Sequence, residues 1–116
     1  MSDYHEPTNE LSEKTRDFVR ALHSLREEIE AIDWYQQRAD VASSEDLKAI
    51  LIHNRNEEME HACVAFEWLR RNMDGWDEKM RTYLFTEGDI TELEEAETGK
   101  GDKDSGLTDL NVGSIK

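Results

Sequence analysis

The feature that most constrains the fold is a heptad-spaced stripe in the middle of the chain whose centre is polar. Its two ends are apolar, but between them stand an amide, a carboxylate and an imidazole: Leu47, Leu51, Asn54, Glu58, His61, Ala65 and Trp68. Burying a carboxylate without a partner is costly, so such residues normally lie outside a packed seam or bind something within it. The stripe therefore predicts a long helix whose polar centre is a candidate binding site.

Apolar residues at three- and four-residue steps predict two long amphipathic helices joined by a short polar loop. The first begins close to Thr8 or Asn9, which can cap it, and runs to about residue 38. The second is capped by Ser43 or Ser44 and runs to about Asn72. A short loop between long helices makes them antiparallel. The pattern predicts an all-α fold built on a two-helix hairpin.

The 116 residues support one domain, followed by a tail of different composition. A short third helix is predicted over residues 76–84, and a few further turns over residues 90–96. We therefore expect a helical domain at 1–96. The segment TGKGDKDSG predicts a flexible linker at 97–106, and the chain turns apolar again in the terminal peptide 107–116.

Charge and cysteine content exclude several classes of partner. Asp and Glu number 28 against 14 Lys and Arg, a formal charge of −14, so nucleic acid and anionic membranes are poor partners. Cys63 is the single cysteine, which rules out an internal disulfide. No segment is apolar enough for a membrane span, and the first residues do not resemble a secretory signal. We therefore expect a protein of the cytosol, or of a compartment inside it, without a membrane partner.

The register of the hairpin brings three ligand-type residues to the same level. Glu28 lies fifteen residues before residue 43 and Glu58 fifteen after it, so a fold at that point aligns them. Glu58 and His61 form Glu-x-x-His, whose spacing puts both side chains on one helix face. Glu28 in turn belongs to an inward stripe of the first helix: Phe18, Ala21, Leu25, Glu28, Ile32 and Tyr35.

Two carboxylates and one imidazole suit divalent iron, manganese or zinc. A two-metal site in a helical bundle takes two lone Glu residues and two Glu-x-x-His pairs from four helices, and this chain supplies one of each. Dimerisation about a two-fold axis would complete a four-helix bundle and the site together. The opposing interpretation is a solvated acidic face, which Glu-x-x-His alone would favour. The position of Glu58 and His61 in the seam, level with Glu28, favours the metal site.

Two neighbouring features of the first helix allow more than one interpretation. Glu27, Glu30 and Trp34 share a face distinct from that of Glu28, and form either a solvated acidic surface or a waiting position for a cation. Tyr35 lies one turn beyond Ile32, where its phenol would either hydrogen-bond a ligand carboxylate or pack in the core.

Four runs of the chain resemble the encapsulated ferritins, small ferritin-like proteins carried inside encapsulin nanocompartments. The runs are EEIEAIDWY at 27–35, HNRNEEMEHA at 53–62, EWLRRN at 67–72 and RTYLFTEG at 81–88. The resemblance implies a ferritin-like fold and a ferroxidase centre between two subunits, in which Glu28, Glu58 and His61 of each chain hold two irons. It also implies that Tyr35 lies beside the centre, and that metal enters at an uptake site formed by Glu27, Glu30 and Trp34.

The same resemblance implies partners and a location. Family members form a homo-oligomeric ring of five dimers, a decamer, and oxidise Fe(II) to Fe(III) while mineral collects in the surrounding shell. The terminal run LNVGSIK at 110–116 is similar to encapsulin cargo-loading peptides. Leu110, Val112 and Ile115 would dock into pockets of the shell protein. The implied location is an encapsulin nanocompartment in the bacterial cytoplasm.

Together these observations predict a ferroxidase that couples Fe(II) oxidation to dioxygen reduction, with Glu58 bridging the metals and Glu28 and His61 holding them terminally. One rival is a non-catalytic helical adapter or cargo protein, against which the seam argues because a plain coiled coil would carry Leu or Ile at positions 58 and 61. Another diiron or dimanganese oxidase is the second rival, which the sequence does not separate from a ferroxidase.

Overall fold

The computed structural model describes residues 4–105, with side chains described through residue 99. A short 3-10 turn at Thr8–Glu10 precedes four α-helices, and no strand occurs in that range. The helices are α1 (Glu13–Val41), α2 (Glu45–Asn72), α3 (Trp76–Tyr83) and α4 (Ile90–Ser105). The predicted all-α fold is confirmed.

Helix α1 begins later than the sequence predicts. Its N-cap is Ser12, whose hydroxyl oxygen accepts the Thr15 backbone N–H at 3.0 Å. Thr8 and Asn9 lie in the 3-10 turn instead, so the prediction that they cap the helix is wrong. The cause is the extended backbone of Leu11, with φ −88° and ψ 142°, which separates the turn from the helix.

The hairpin loop and the ends of α2 follow the prediction closely. Helix α1 continues to Val41, three residues past its expected end, which leaves residues 42–44 as the loop. The hydroxyl oxygen of Ser44 accepts the Leu47 N–H at 3.3 Å and so caps α2. Glu45 and Asp46 stand in the first turn of α2, where the helix dipole favours negative charge.

The core between α1 and α2 is thin. Leu69 is completely buried, and Leu25 and Ala62 pack with it in one cluster. The residues around this cluster are only partly buried: Ala21, Leu22, Ile32, Ala65, Phe66, Met73 and Trp76. Phe18 and Trp68 meet edge to face, with ring centroids 6.2 Å apart, which joins the open ends of the hairpin. Two helices alone bury little, so large apolar side chains of α2 stay exposed, among them Leu47 and Ile50.

The chain divides into two compact units, the first ending at Trp76 and the second beginning at Asp77. In the second unit the Asp89 carboxylate accepts the backbone N–H groups of Thr91 and Glu92 at 2.9 and 3.2 Å, which supports the start of α4. The pKa of Asp89 is lowered, first by a hydrogen bond from the Thr91 hydroxyl and then by these two backbone bonds.

Helix α4 is longer than predicted. The sequence predicts turns only over residues 90–96, but α4 continues to Ser105, through most of the expected linker at 97–106. Nothing in that segment stops a helix outright, because it contains no proline and a helical glycine costs only about 1 kcal/mol relative to alanine. The division into domain, linker and terminal peptide stays a prediction, and Leu110, Val112 and Ile115 lie outside the described residues. None of the described helices has the length and apolar character that a membrane crossing requires.

Candidate metal centre

Three ligand-type side chains from two helices meet in the middle of the hairpin. Glu28 comes from α1, and Glu58 and His61 come from α2, one turn apart. The Nδ1 atom of His61 lies 3.5 Å from Glu28 Oε1 and 3.6 Å from Glu58 Oε1. One donor atom from each residue fits within a mutual distance of 4.8 Å. The convergence predicted from the hairpin register is confirmed.

The pKa of Glu28 is raised, chiefly because its protonated form can hydrogen-bond to the Glu58 carboxylate. The bond to Glu58 is the largest cause, followed by partial burial and then by the negative charge of Glu58, while His61 acts in the opposite direction. A hydrogen bond between two carboxylates requires a proton on one of them. A cation placed among these oxygens would take over the role of that proton and remove the repulsion.

The three donors are not equally covered by the hairpin. The side chains of Glu28 and Glu58 are 26% and 24% exposed, whereas that of His61 is 53% exposed. The imidazole therefore stands at the edge of the site. Trp68, itself 39% exposed, follows His61 two turns later on the same face of α2. The site thus opens onto a helix face that carries exposed apolar side chains.

Tyr35 lies two turns beyond Glu28 on α1 and is half-buried. The Arg38 guanidinium lies over its ring, 5.4 Å from the centroid. Within residues 4–99, no hydrogen bond joins its hydroxyl to Glu28, Glu58 or His61. A role of Tyr35 at the centre therefore stays a prediction.

Glu27, Glu30 and Trp34 are exposed on α1. Trp34 lines a shallow cavity of about 260 Å³ with Gln37 and Arg38. Within the described part of the chain, the Glu28 group is the only set of three or more acidic, His or Cys side chains close enough to share an ion. The predicted uptake set contains only two such side chains, Glu27 and Glu30, so its role in metal uptake stays a prediction.

A cross-helix contact that the sequence analysis missed lies one turn from Glu58. The Arg55 guanidinium donates to the Gln36 side-chain oxygen at 2.6 Å and to Asn56 Oδ1 at 2.9 Å. No pattern in the sequence indicates this pair, because both residues belong to polar faces that look fully solvated. The contact ties α1 to α2 close to the donors.

An all-α hairpin that directs a lone Glu and a Glu-x-x-His pair to one point defines the ferritin-like class of helical metalloproteins. Residues 3–87 match the family model described as EncFtn-like. The chain therefore belongs to the EncFtn-like family, the encapsulated ferritins. Membership in this ferritin-like family makes iron the first metal to consider for the Glu28, Glu58 and His61 site.

Individual relatives agree with the family assignment. A ferritin-like protein of Thermotoga maritima is 61% identical over 107 residues, which cover 91% of this chain and 93% of that protein. An encapsulated ferritin-like protein of Rhodospirillum rubrum is 50% identical, with 97% of this chain and 86% of that protein covered. The crystal structure of protein ne0167 from Nitrosomonas europaea superposes with a TM-score of 0.74 at 52% identity, over 77% of this chain and 98% of that one.

Proposed function

We propose that this protein is a ferroxidase that oxidises Fe(II) to Fe(III) with dioxygen at a di-iron centre shared between two subunits. The observation that carries the proposal is the convergence of Glu28, Glu58 and His61 from two helices, with donor atoms within 4.8 Å of one another. Carboxylate oxygens suit Fe(II) and hold the harder Fe(III) more strongly, and imidazole binds iron well. Two Fe(II) ions supply two electrons, so one dioxygen that takes up two protons is reduced to the level of peroxide.

The donor set supports a centre shared by two chains. One hairpin offers two carboxylates and one imidazole, whereas a di-iron site of this class takes four carboxylates and two imidazoles. A second hairpin related by a two-fold axis would supply the missing half. The exposed imidazole of His61 and the exposed apolar residues on its face of α2 support a partner at that side. In such a centre Glu58 would be the bridging ligand, and Glu28 and His61 would be terminal ligands.

Other residues of α1 would serve this reaction. Glu27 and Glu30 are exposed carboxylates on an acidic protein, where they would hold an incoming Fe(II) beside Trp34 before it moves inward. Tyr35 would lie next to the centre and hydrogen-bond a ligand carboxylate. Replacing both uptake carboxylates with alanine should slow oxidation at low Fe(II) while leaving the number of bound irons unchanged.

Delivery to a shell completes the proposed function. The R. rubrum relative is by name an encapsulated ferritin-like protein, and its alignment with the present chain covers 86% of its length. We infer that the present protein forms a ring of five dimers and is carried inside an encapsulin nanocompartment in the bacterial cytoplasm. Leu110, Val112 and Ile115 would dock on the shell protein, and the Fe(III) product would mineralise within the shell.

The test compares aerobic Fe(II) oxidation, followed by the ferric absorbance, in wild type, Glu58→Ala and His61→Ala. Glu60→Ala is the matched control, because Glu60 is an exposed carboxylate of the same helix. We expect oxidation to fall to the uncatalysed rate in the two site variants only. Light scattering on wild type with and without Fe(II) measures assembly in parallel. Equal rates in all four proteins would favour a non-catalytic adapter, and full activity in a monomer would exclude a shared centre.

A further inference from the structure

Asn54 is the polar residue of the α2 stripe that the proposed centre leaves without a role. It is half-buried and lies one turn before Glu58 on the same face. No hydrogen bond joins its side chain to any other residue of the described range. An amide that is partly withdrawn from water without a partner destabilises the fold unless something else satisfies it.

His61 has a ring nitrogen without a hydrogen-bond partner. Its Nδ1 atom faces Glu28 and Glu58, whereas its Nε2 atom contacts no hydrogen-bonding partner within residues 4–99. A histidine that binds metal through one ring nitrogen almost always donates its other N–H to an oxygen acceptor, which fixes the orientation of the ring. Asn54 of the same chain is seven residues away, about 10.5 Å along the helix, and is too short to reach it. The acceptor must come from elsewhere.

The positions of the α2 stripe are spaced almost symmetrically on the two sides of Glu58. This spacing determines which residues of two chains a two-fold axis at Glu58 would place opposite each other. Asn54 lies four residues before Glu58 and His61 three residues after it, while Leu51 and Ala65 each lie seven residues away. In an antiparallel pair of α2 helices with the axis at Glu58, Asn54 of one chain is level with His61 of the partner subunit to within about 1.5 Å. Leu51 then faces Ala65, a large side chain opposite a small one.

We propose that Asn54 is a positioning residue that acts across the dimer interface. Its side-chain oxygen accepts the Nε2–H of the partner's His61, so that Nδ1 of that histidine stays directed at the iron. This inference rests on the proposed shared centre, because only a two-fold axis near Glu58 aligns the two residues. The proposal gives Asn54 a function in metal binding. An asparagine that only fixed the alignment of two packed helices would not have this function.

Two heterodimers that carry the same pair of substitutions can show whether Asn54 acts on the histidine of the partner subunit or on that of its own chain. In the first, one chain carries Asn54→Leu and the other carries His61→Ala, so the remaining His61 still faces an intact Asn54 across the interface. In the second, one chain carries both substitutions and the other is wild type, so the remaining His61 faces leucine. Different tags on the two full-length chains allow each heterodimer to be isolated, and anaerobic titration with Fe(II) measures affinity without turnover.

We expect the first heterodimer to bind Fe(II) roughly 10–100-fold more tightly than the second, the usual effect of losing the outer hydrogen bond of a histidine ligand. Asn54→Asp, which keeps the acceptor oxygen, should bind close to wild type as a homodimer. Asn72→Leu, at an exposed position near the end of the same helix, is the control without an effect. If Asn54→Leu chains fail to pair, Asn54→Ala repeats the comparison with a side chain that cannot clash.

Equal affinity of the two heterodimers would overturn the proposal, and tighter binding by the second would show that Asn54 acts within its own chain. Failure of the shared centre has a different signature. In that case wild-type protein at a concentration where it is monomeric would bind Fe(II) as tightly as the dimer does, whatever the heterodimers do.

Discussion

Replacing Glu58 with glutamine should stabilise the metal-free protein while it removes metal binding. In the structure Glu58 and Glu28 approach closely enough to share a hydrogen bond, and the charge of Glu58 helps to raise the pKa of Glu28. A glutamine at position 58 has nearly the same shape, carries no charge, and can donate its amide N–H to the Glu28 carboxylate. The substitution therefore exchanges a repulsive contact for an attractive one.

The size of the effect follows from the separation of the charges. At the 4.8 Å that bounds the site, two unit charges repel by about 1 kcal/mol in a medium of dielectric constant 80 and by about 3.5 kcal/mol at 20. Each carboxylate is about one-quarter exposed, so solvent screening places the site between these limits. A gain of about 1–3 kcal/mol in the free energy of unfolding should raise Tm by roughly 4 °C or more.

The pH dependence has a definite sign. Because the pKa of Glu28 is higher in the folded than in the unfolded state, the folded state binds this proton more tightly. Lowering the pH through the folded pKa towards the unfolded value, 4.5, therefore stabilises wild type. The advantage of Glu58→Gln should be largest at neutral pH and shrink as the pH falls.

Thermal unfolding followed by circular dichroism, with chelator and at one protomer concentration, measures the effect. Glu60→Gln is the matched control, since it removes one exposed negative charge from the same helix. Adding a divalent metal should reverse the order, because ligand binding stabilises only the protein that retains the site. If metal-free Glu58→Gln unfolds at or below the wild-type temperature at neutral pH, the electrostatic account of the site is wrong.

Three further predictions concern the hairpin itself. Arg70 and Arg71, at 2.8 and 2.6 Å from Glu67, lower the pKa of that carboxyl to about 2. The carboxylate should therefore stabilise the fold above pH 4.5 and lose that contribution as the pH falls towards 2. In Glu67→Gln, the midpoint of urea denaturation should fall less steeply with decreasing pH than in wild type. Leu69→Ala, at the completely buried position, should lower the free energy of unfolding by about 2–5 kcal/mol in the same denaturation assay. Gln36→Ala and Arg55→Ala should each cost about 0.5 kcal/mol, and a double-mutant cycle should show that the two losses are not additive.

Local patterns predict the long helices well, because those patterns depend on neighbouring residues alone. The three- and four-residue apolar spacing and the Ser44 cap predict the start of α2, and its predicted end at Asn72 is also correct. The start of α1 is harder, since Thr8, Asn9 and Ser12 are all good caps. The choice depends on Leu11, whose extended backbone no propensity reveals.

The convergence of Glu28, Glu58 and His61 is predictable, because a short loop places residues equally far from it in sequence at the same height along the two helices. With a loop at residues 42–44, equal counts along both helices place Glu28 beside Glu58 without knowledge of any contact. The Arg55 contact with Gln36 is not predictable in this way, because long side chains reach across several residues of offset.

On the proposed function, a half-site in each chain would also couple metal binding to assembly through charge. Each subunit carries a formal charge of −14, and dimerisation through the α2 face would bring four carboxylates around one point. Without metal these carboxylates oppose association, and protons neutralise them only in part. Two Fe(II) ions would supply four positive charges at that point, so their binding free energy would appear largely as dimerisation free energy. On the proposed centre, the same Glu28 and Glu58 that weaken the metal-free dimer become its strongest link once iron is bound.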